Sequence, residues 1–371
     1  METRPAILVK SPNWIGDCAM ATPAVDLIAR ALPAYDIHIL CRPHLAPLWS
    51  EHTMVKKVIA ADERKLTPAT RNDLKRAKYA AGVLLTNSLG SAWIMYRLGA
   101  KLRIGYNRNR RGLLLTHKLA YVESEWQTCT PAPLSKKSIK CADSSRNTPR
   151  HLVLYYLSIA QAAVQAIDPA ADLVHTGSSY DLQVPTNADS VQRVNTLLKE
   201  RKLAGRMLIA INPGAAHGPA KRWSPTRLAQ VAESLAVRNA AIVSTASAGE
   251  SHLNDEVQKH SKVPIHRLGE HLDIPGLVAL MPHLNLLITN DSGAMHLAAA
   301  HRVPVVGIFG PTDWNSTAPW NTPHRIVRHE TACAPCFLRE CPIDHRCLDN
   351  IAVDDVVQAA AELIHQSGGY R

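Results

Sequence analysis

Short apolar runs in this chain repeatedly stop at a polar, glycine-bearing turn and pass into a helical pattern, an alternation that few folds accommodate. Leu286-Leu287-Ile288 is followed by Thr289-Asn290-Asp291-Ser292-Gly293-Ala294-Met295-His296 and then by the small, helix-prone Leu297-Ala298-Ala299-Ala300, which reads as strand, turn and helix. Such a junction suits a ligand. Asp291 or Ser292 is expected to cap the helix, Gly293 to let backbone approach closely, and the exposed N–H groups to attract an anion such as a diphosphate, with His296 in the first turn. An ordinary capped strand–helix unit is the plainer alternative for the same residues. Val305-Val306-Gly307-Ile308-Phe309 then ends in Gly310-Pro311-Thr312, and a parallel sheet presents both loops at one edge, which suggests a nucleotide-type ligand.

The theme occurs twice. In the first half the expected strands are Ala6–Lys10, Ile37–Cys41, Val55–Ile59 and Ala81–Thr86, with helices between them that include Pro23–Leu32 and Leu66–Arg76. In the second half Leu208–Asn212, Ala241–Thr245, Leu286–Thr289 and Val305–Phe309 alternate with helices near Pro225–Arg238, Glu250–His260 and Pro275–Met281, and His151–Ile167 is a further helix. A chain of 371 residues exceeds one ordinary core, so two doubly wound α/β domains facing a cleft are expected, over residues 1–185 and 186–371. Residues 127–149, rich in Ser, Thr, Pro and Lys without an apolar period, look like a mobile insertion in the first.

Composition narrows the partners. With 46% hydrophobic and 20% charged residues the chain is ordinary globular protein, and its first apolar run is too short for a signal peptide or membrane span, so a cytoplasmic protein is expected. A formal net charge of +11 calls for an anionic partner, whether nucleic acid, phosphorylated metabolite or lipid surface. Arg97, Lys101, Arg103, Arg108, Arg110, Arg111 and Lys118 follow one another without an intervening acid, either as a solvated face or as a surface turned toward phosphate groups. Aromatic residues make up only 5% of the chain, too few for a surface that stacks bases, so no nucleic-acid partner is expected.

Three loops carry the chemistry. Lys10-Ser11-Pro12-Asn13-Trp14-Ile15-Gly16-Asp17 follows the opening strand; Asp17 suits either a helix cap or a general base, and Trp14 a lid, a wall or core. The second domain opens with Asn212-Pro213-Gly214-Ala215-Ala216-His217-Gly218-Pro219-Ala220-Lys221-Arg222-Trp223, where small residues expose backbone and Lys221 is expected to be a mobile cation facing a diphosphate, or simply solvated. Glu250, expected at the end of the next strand, has a carboxylate suited to ribose hydroxyls or to plain exposure.

Together, Ser11-Pro12-Asn13-Trp14-Ile15-Gly16-Asp17, Pro213-Gly214-Ala215 with Gly218-Pro219-Ala220-Lys221-Arg222-Trp223, and Thr289-Asn290-Asp291-Ser292-Gly293 with His296 resemble the ADP-heptose lipopolysaccharide heptosyltransferases of glycosyltransferase family 9. The Gly-Pro-Ala-Lys-Arg-Trp string is most similar to their heptosyltransferase II branch. The resemblance implies a GT-B fold, an ADP-L-glycero-D-manno-heptose donor held by the C-terminal domain, and a lipid A–Kdo–heptose core acceptor held by the N-terminal domain at the inner face of the cytoplasmic membrane. It implies Asp17 and Lys221 as catalytic residues, and Ser11, Gly214, Lys221, Glu250, Asp291, Ser292, Gly293 and His296 around the donor. Trp14, Asn87, Arg108, Arg110 and Arg111 fall on the acceptor side. Another sugar donor, another heptosyltransferase position, or a non-catalytic nucleotide- or glycan-binding protein are the alternatives.

An inverting transfer needs one carboxylate to take the acceptor's proton and fixed positive charge to meet the departing diphosphate. No Asp-x-Asp pair, the usual sign of a carboxylate-held Mg²⁺, occurs in the sequence, so no metal cofactor is expected for the reaction. Cys333, Cys336, Cys341 and Cys347, with His345 among them, are candidates for a structural zinc or an iron–sulfur group, or for plain or redox-paired thiols. Cys18 and Cys41 are expected in the core, and Cys129 and Cys141 follow no pattern.

Overall fold

The computed structural model describes residues 4–62, 65–121, 151–171, 180–236 and 240–366. The segment 127–149, with Cys129 and Cys141, lies outside the described residues. The chain forms two compact units that meet in sequence between Pro185 and Thr186.

The first unit contains strands β1 (Ala6–Lys10), β2 (Asp36–Cys41), β3 (Lys57–Ala60), β4 (Ala81–Leu84), β5 (Leu102–Tyr106) and β6 (His117–Leu119). Its helices are α1 (Ile15–Ala31), α2 (Pro47–Ser50), α3 (Pro68–Arg76), α4 (Leu89–Arg97) and α5 (Leu152–Ile167). The sheet is parallel in the order β3-β2-β1-β4-β5-β6. Val9 of β1 aligns with Ile39 on one side and Val83 on the other, and every residue of β1 and β4 is buried, as strands covered on both faces require. The winding reverses between β1 and β4, so the loops leaving them diverge and open a crevice at their carboxyl ends. Helix α5 packs along α1, and Ala19, Ala21 and Ala24 of α1 and Tyr156, Ile159 and Ala160 of α5 are all buried.

The second unit repeats this winding with β7 (Met207–Asn212), β8 (Ala240–Ser244), β9 (Ile265–His266), β10 (Leu286–Asn290), β11 (Val305–Phe309) and β12 (His324–Arg328), ordered β12-β11-β10-β7-β8-β9. Helices α6 (Ala188–Glu200), α7 (Pro225–Leu235), α8 (Ser251–His260), α9 (Ile274–Leu280), α10 (Gly293–Ala300), α11 (Trp314–Thr317), α12 (Arg346–Asp349) and α13 (Val353–Gln366) surround it. Ile209, Ile211, Ile242, Ile288, Val306 and Ile308 form its core with Trp223 and with Val356, Ala360 and Leu363 of α13. The crevice here lies between β7 and β10. Two doubly wound α/β units are thus the fold expected from the alternation. Among the described residues no helix is long and apolar enough to cross a membrane.

Two expectations are corrected. The first helix starts at Ile15, eight residues before Pro23, which lies inside it. Proline normally breaks a helix because it cannot donate to the carbonyl four residues back. Here the Thr22 hydroxyl donates to that carbonyl, Ala19 O, at 2.8 Å, and the helix continues. Asp17 therefore sits in the first helical turn instead of a loop.

Arg111, expected on an exposed basic face, is fully buried. Its guanidinium donates to Tyr106 O at 2.9 Å, to Thr86 O and to Asn87 Oδ1 at 3.1 Å, so it ties together the chain ends leaving β4 and β5. A five-donor fork satisfies several carbonyl ends at once, which explains its place inside. Burial pushes its pKa down to about 10, still well above neutrality. Arg111→Met should lower unfolding stability by about 3 kcal/mol, because these acceptors lose charge-assisted bonds inside the protein. Urea denaturation checks this, and an unchanged midpoint would return Arg111 to the surface.

Candidate functional site

At the carboxyl edge of the first sheet, β1 ends in a buried lysine. Lys10 Nζ donates to Ser11 O at 2.8 Å and to Asn13 Oδ1 at 3.3 Å, which shapes the loop that carries Trp14 and Asp17. Sequence reasoning assigned Lys10 no role, although a charge closing the otherwise apolar Ala6–Val9 run was the available signal. Trp14 is the N-cap residue of α1 and is half exposed, so it is not core. Asp17 is not at the N-cap position; it lies partly buried in the first turn beside Cys18 and Tyr156. Burial and then the neighbouring Asp17 carboxylate hold the Tyr156 phenol well above its usual range.

Ser11, expected at the donor, is corrected. It is fully buried, and its hydroxyl accepts from Trp49 Nε1 at 3.0 Å and donates to Pro12 O at 3.2 Å, so it pins the loop from inside. Cys18 and Cys41 are buried as expected, and burial raises their thiols to about 12 and about 11. Across the crevice edge, Asn87 follows β4. Its Oδ1 accepts from both Arg111 Nη2 and Tyr155 Oη, at 3.1 and 2.8 Å, which fixes the amide's orientation. Arg110 is exposed, while Arg108 lies over the Tyr121 ring at 3.9 Å from its centroid.

The second crevice is built by two asparagines that end adjacent strands. Asn290 Nδ2 donates to Pro213 O at 3.0 Å and to Gly214 O at 3.3 Å, while its Oδ1 accepts from Trp223 N at 3.0 Å, so one side chain holds both ends of the 213–223 loop. Asn212 Nδ2 donates to Ser292 Oγ at 2.9 Å, and its Oδ1 accepts from Gly214 N at 3.3 Å. Neither was singled out in the sequence. Their shared position, the last residue of an apolar strand, was the signal that could have found them.

Lys221 is not the mobile cation expected. Its Nζ donates to Asp291 Oδ2 at 2.5 Å, with 14% of the lysine side chain and 8% of the aspartate exposed. Thr312 Oγ1 donates to the same oxygen at 2.7 Å. Burial alone would raise the Asp291 carboxyl, but the Lys221 ammonium, its hydrogen bond and that of Thr312 outweigh burial and hold it below the ordinary 3.8. Asp291 is therefore occupied and does not cap α10. Ser292 stands at the N-cap position, but its hydroxyl pairs with Asn212 and Thr289 instead of a helix N–H. Ser292 and Gly293 remain partly exposed at the start of α10, and His296 is buried one turn on.

Glu250 lies beyond the end of β8, in a capping box with Ser247, where its Oε2 accepts from Ser247 N at 3.4 Å and Oγ at 3.1 Å. Its carboxylate also rests against Gly214, leaving no room there for a Cβ.

The cysteine segment braces these loops. Cys336 N and Phe337 N donate to Pro311 O at 3.0 and 2.8 Å, and Ala220 N donates to Arg339 O at 3.0 Å. Gly218 passes so close to the Arg339 carbonyl that a Cβ would come within 2.5 Å of it. None of the four cysteines is in a disulfide; burial, then the nearby Cys333, Cys336 and Cys341, push Cys347 up to about 11. Among the described residues, no group of three or more His, Cys, Asp or Glu side chains is disposed to hold a metal ion.

Comparison with known proteins places this geometry among relatives. The sequence profile of glycosyltransferase family 9 (heptosyltransferase) matches residues 68–346. A lipooligosaccharide heptosyltransferase 2 of Campylobacter jejuni subsp. jejuni serotype O:2 is 33% identical over 366 residues, covering 97% of this chain and 99% of its own. Lipopolysaccharide heptosyltransferase 2 of Escherichia coli (strain K12) is 23% identical over 337 residues, 87% of each chain. Among solved structures, E. coli ADP-heptose LPS heptosyltransferase II has a TM-score of 0.74 at 23% identity, covering 97% of this chain and 99% of that one. The family 9 glycosyltransferase of Veillonella parvula DSM 2008 has a TM-score of 0.75 at 19% identity, covering 98% and 97%. These two structures share the GT-B arrangement of α/β units.

Removing Asp291 should expose the cost of the pair. Asp291→Asn leaves the Lys221 ammonium buried without its counter-charge, a loss of about 3–5 kcal/mol by chemical denaturation at neutral pH. The carboxyl is depressed in the folded state, so its stabilisation is present above about pH 4 and lost as pH falls further. The wild type should therefore lose stability more steeply than Asp291→Asn between pH 5 and pH 3; equal slopes would separate Asp291 from Lys221.

Proposed function

The chain belongs to glycosyltransferase family 9, the heptosyltransferases, and from that premise we propose that it transfers L-glycero-D-manno-heptose from ADP-heptose to the heptose–Kdo inner core of lipopolysaccharide, with inversion and without a metal. The observation that carries the proposal is the Lys221–Asp291 pair beside the start of α10, in a crevice where a parallel sheet receives nucleotide ligands. Glycosyl transfer by this family's members is the chemistry the site is asked to perform. The names of the relatives, lipooligosaccharide heptosyltransferase 2 and lipopolysaccharide heptosyltransferase 2, support the choice of acceptor.

In the proposed reaction the Asp17 carboxylate takes the proton from an acceptor hydroxyl as its oxygen bonds to the anomeric carbon. The bond from that carbon to the diphosphate oxygen breaks on the opposite face, and ADP leaves. Lys221 meets the charge that builds on the diphosphate, and the N–H groups opening α10 at Gly293 add fixed dipoles aimed at the same anion. Asp291 holds the ammonium in place. Glu250 and His296 complete the donor side, and Trp14, Asn87, Arg108 and Arg110 the acceptor side. The reading also implies work at the inner face of the cytoplasmic membrane, where a lipid-anchored acceptor resides.

Incubation with ADP-heptose and defined inner-core acceptors, read by mass spectrometry, tests the reaction itself; nucleotide binding without product would make the protein a binder. Asp17→Asn should lower turnover by about two to four decades with ADP affinity by calorimetry unchanged, because a general base acts on the chemical step. Near wild-type turnover would remove Asp17 from that role. Lys221→Ala should weaken ADP binding and slow turnover together, since a charge on the diphosphate acts in ground and transition states alike.

A further inference from the structure

Helix α4 is amphipathic in an unusual sense. Its inward face holds Ser91, Ala92, Ile94 and Met95, and its outward face carries Leu89, Trp93 and Tyr96, each about half exposed. Residues 89, 93 and 96 are spaced so that they line one side of the helix. Water does not favour three large side chains in a row on a surface. The rings of Trp93 and Tyr96 lie 5.7 Å apart, with the Arg97 guanidinium 5.8 Å from the Trp93 centroid and the Arg103 guanidinium 5.5 Å from that of Tyr96. Elsewhere in this unit Leu113 is almost wholly exposed. From Leu74 to Val122 the chain contains ten Lys and Arg residues and no Asp or Glu.

From this juxtaposition we infer that the outer face of α4 docks on an anionic lipid bilayer. Trp and Tyr place an apolar ring below the headgroups and a polar edge among them, and arginine beside them pairs with lipid phosphate. Arg97 beside Trp93 enters the interface with its ring as one unit, whereas Arg103 meets Tyr96 from a fixed position, its Nε and Nη1 donating to Leu114 O and Ala100 O at 2.6 and 2.8 Å. A second copy of the chain is disfavoured as the occupant, because a two-fold contact would set this acid-free basic stretch against itself. A soluble phosphate gives no reason for exposed Leu89, Trp93 and Tyr96. The purpose of the surface rests on the proposed lipid-anchored acceptor, but its evidence is separate from that of the sugar-transfer site.

Flotation of the full chain with phosphatidylcholine vesicles, with and without about 30% phosphatidylglycerol, tests the surface. The wild type should float with the anionic vesicles and be released by high salt, because the arginine contribution is screened. Trp93→Ala/Tyr96→Ala should reduce the bound fraction about tenfold, and Arg97→Glu/Lys101→Glu, which spares the Arg103 bonds to Leu114 O and Ala100 O, by about tenfold or more at low salt. Turnover of Trp93→Ala/Tyr96→Ala on a water-soluble, deacylated acceptor should match wild type. That readout separates the two readings: loss of turnover in the wild type itself overturns the sugar-transfer reading, whereas flotation reports on the docking face alone. The docking inference is overturned if the wild type stays with the soluble fraction, if it binds neutral and anionic vesicles equally, or if both double variants float like wild type. It is equally overturned if the variants keep flotation but lose self-association by sedimentation, or lose binding to a single-stranded oligonucleotide instead.

Discussion

A parallel sheet covered by helices on both faces leaves polar chemistry one outlet, the carboxyl edge of its strands. β1, β4, β7 without its first residue, β10 and β11 are buried along their whole length, so any charge or amide within them must either emerge at that edge or be satisfied inside. In both units the winding reverses beside the first strand, and the loops that leave adjacent strands part there. Lys10, Asp17 and Asn87 gather at one such point, and Asn212, Gly214, Lys221, Asp291 and Ser292 at the other. The fold concentrates the polar groups; it does not need to spread them.

What makes the second point rigid is a small set of side-chain amides acting as backbone. Asn290 binds two carbonyls and one N–H of the 213–223 loop, which lets a stretch of Gly, Ala and Pro hold a fixed course without regular structure. With the loop fixed, Lys221 is delivered to Asp291, and the pair is shielded enough to matter electrostatically. The cysteine segment then straps the far side of this loop through Arg339 and the 310–312 turn through Cys336 and Phe337. Its contribution is to hold the 213–223 loop and the 310–312 turn in place, and it does so through backbone groups.

The sequence was least legible where one residue compensates for another. Pro23 signals a helix boundary, and only the Thr22 hydroxyl on Ala19 O cancels that signal. Arg111 stands among exposed basic residues and looks like one of them, yet three acceptors at the ends of two strands draw it inside. Strands β5 and β6 went unread because Arg103 and Gly105 interrupt the apolar run of the first and the second has only three residues. Ser11 sits in a motif that invites a ligand, and Trp49 takes its hydroxyl.

Local pattern determined the strand–turn–helix alternation, the two-unit organisation and the three polar loops at the strand ends, because apolar periodicity and turn residues act over a few positions. Which polar groups meet was decided by tertiary structure. Lys221 and Asp291 are 70 residues apart, Asn87 and Tyr155 are 68 apart, and Lys221's loop and the cysteine segment are separated by more than a hundred positions. Pairing across such distances depends on strand order and loop course, and no window of sequence contains either.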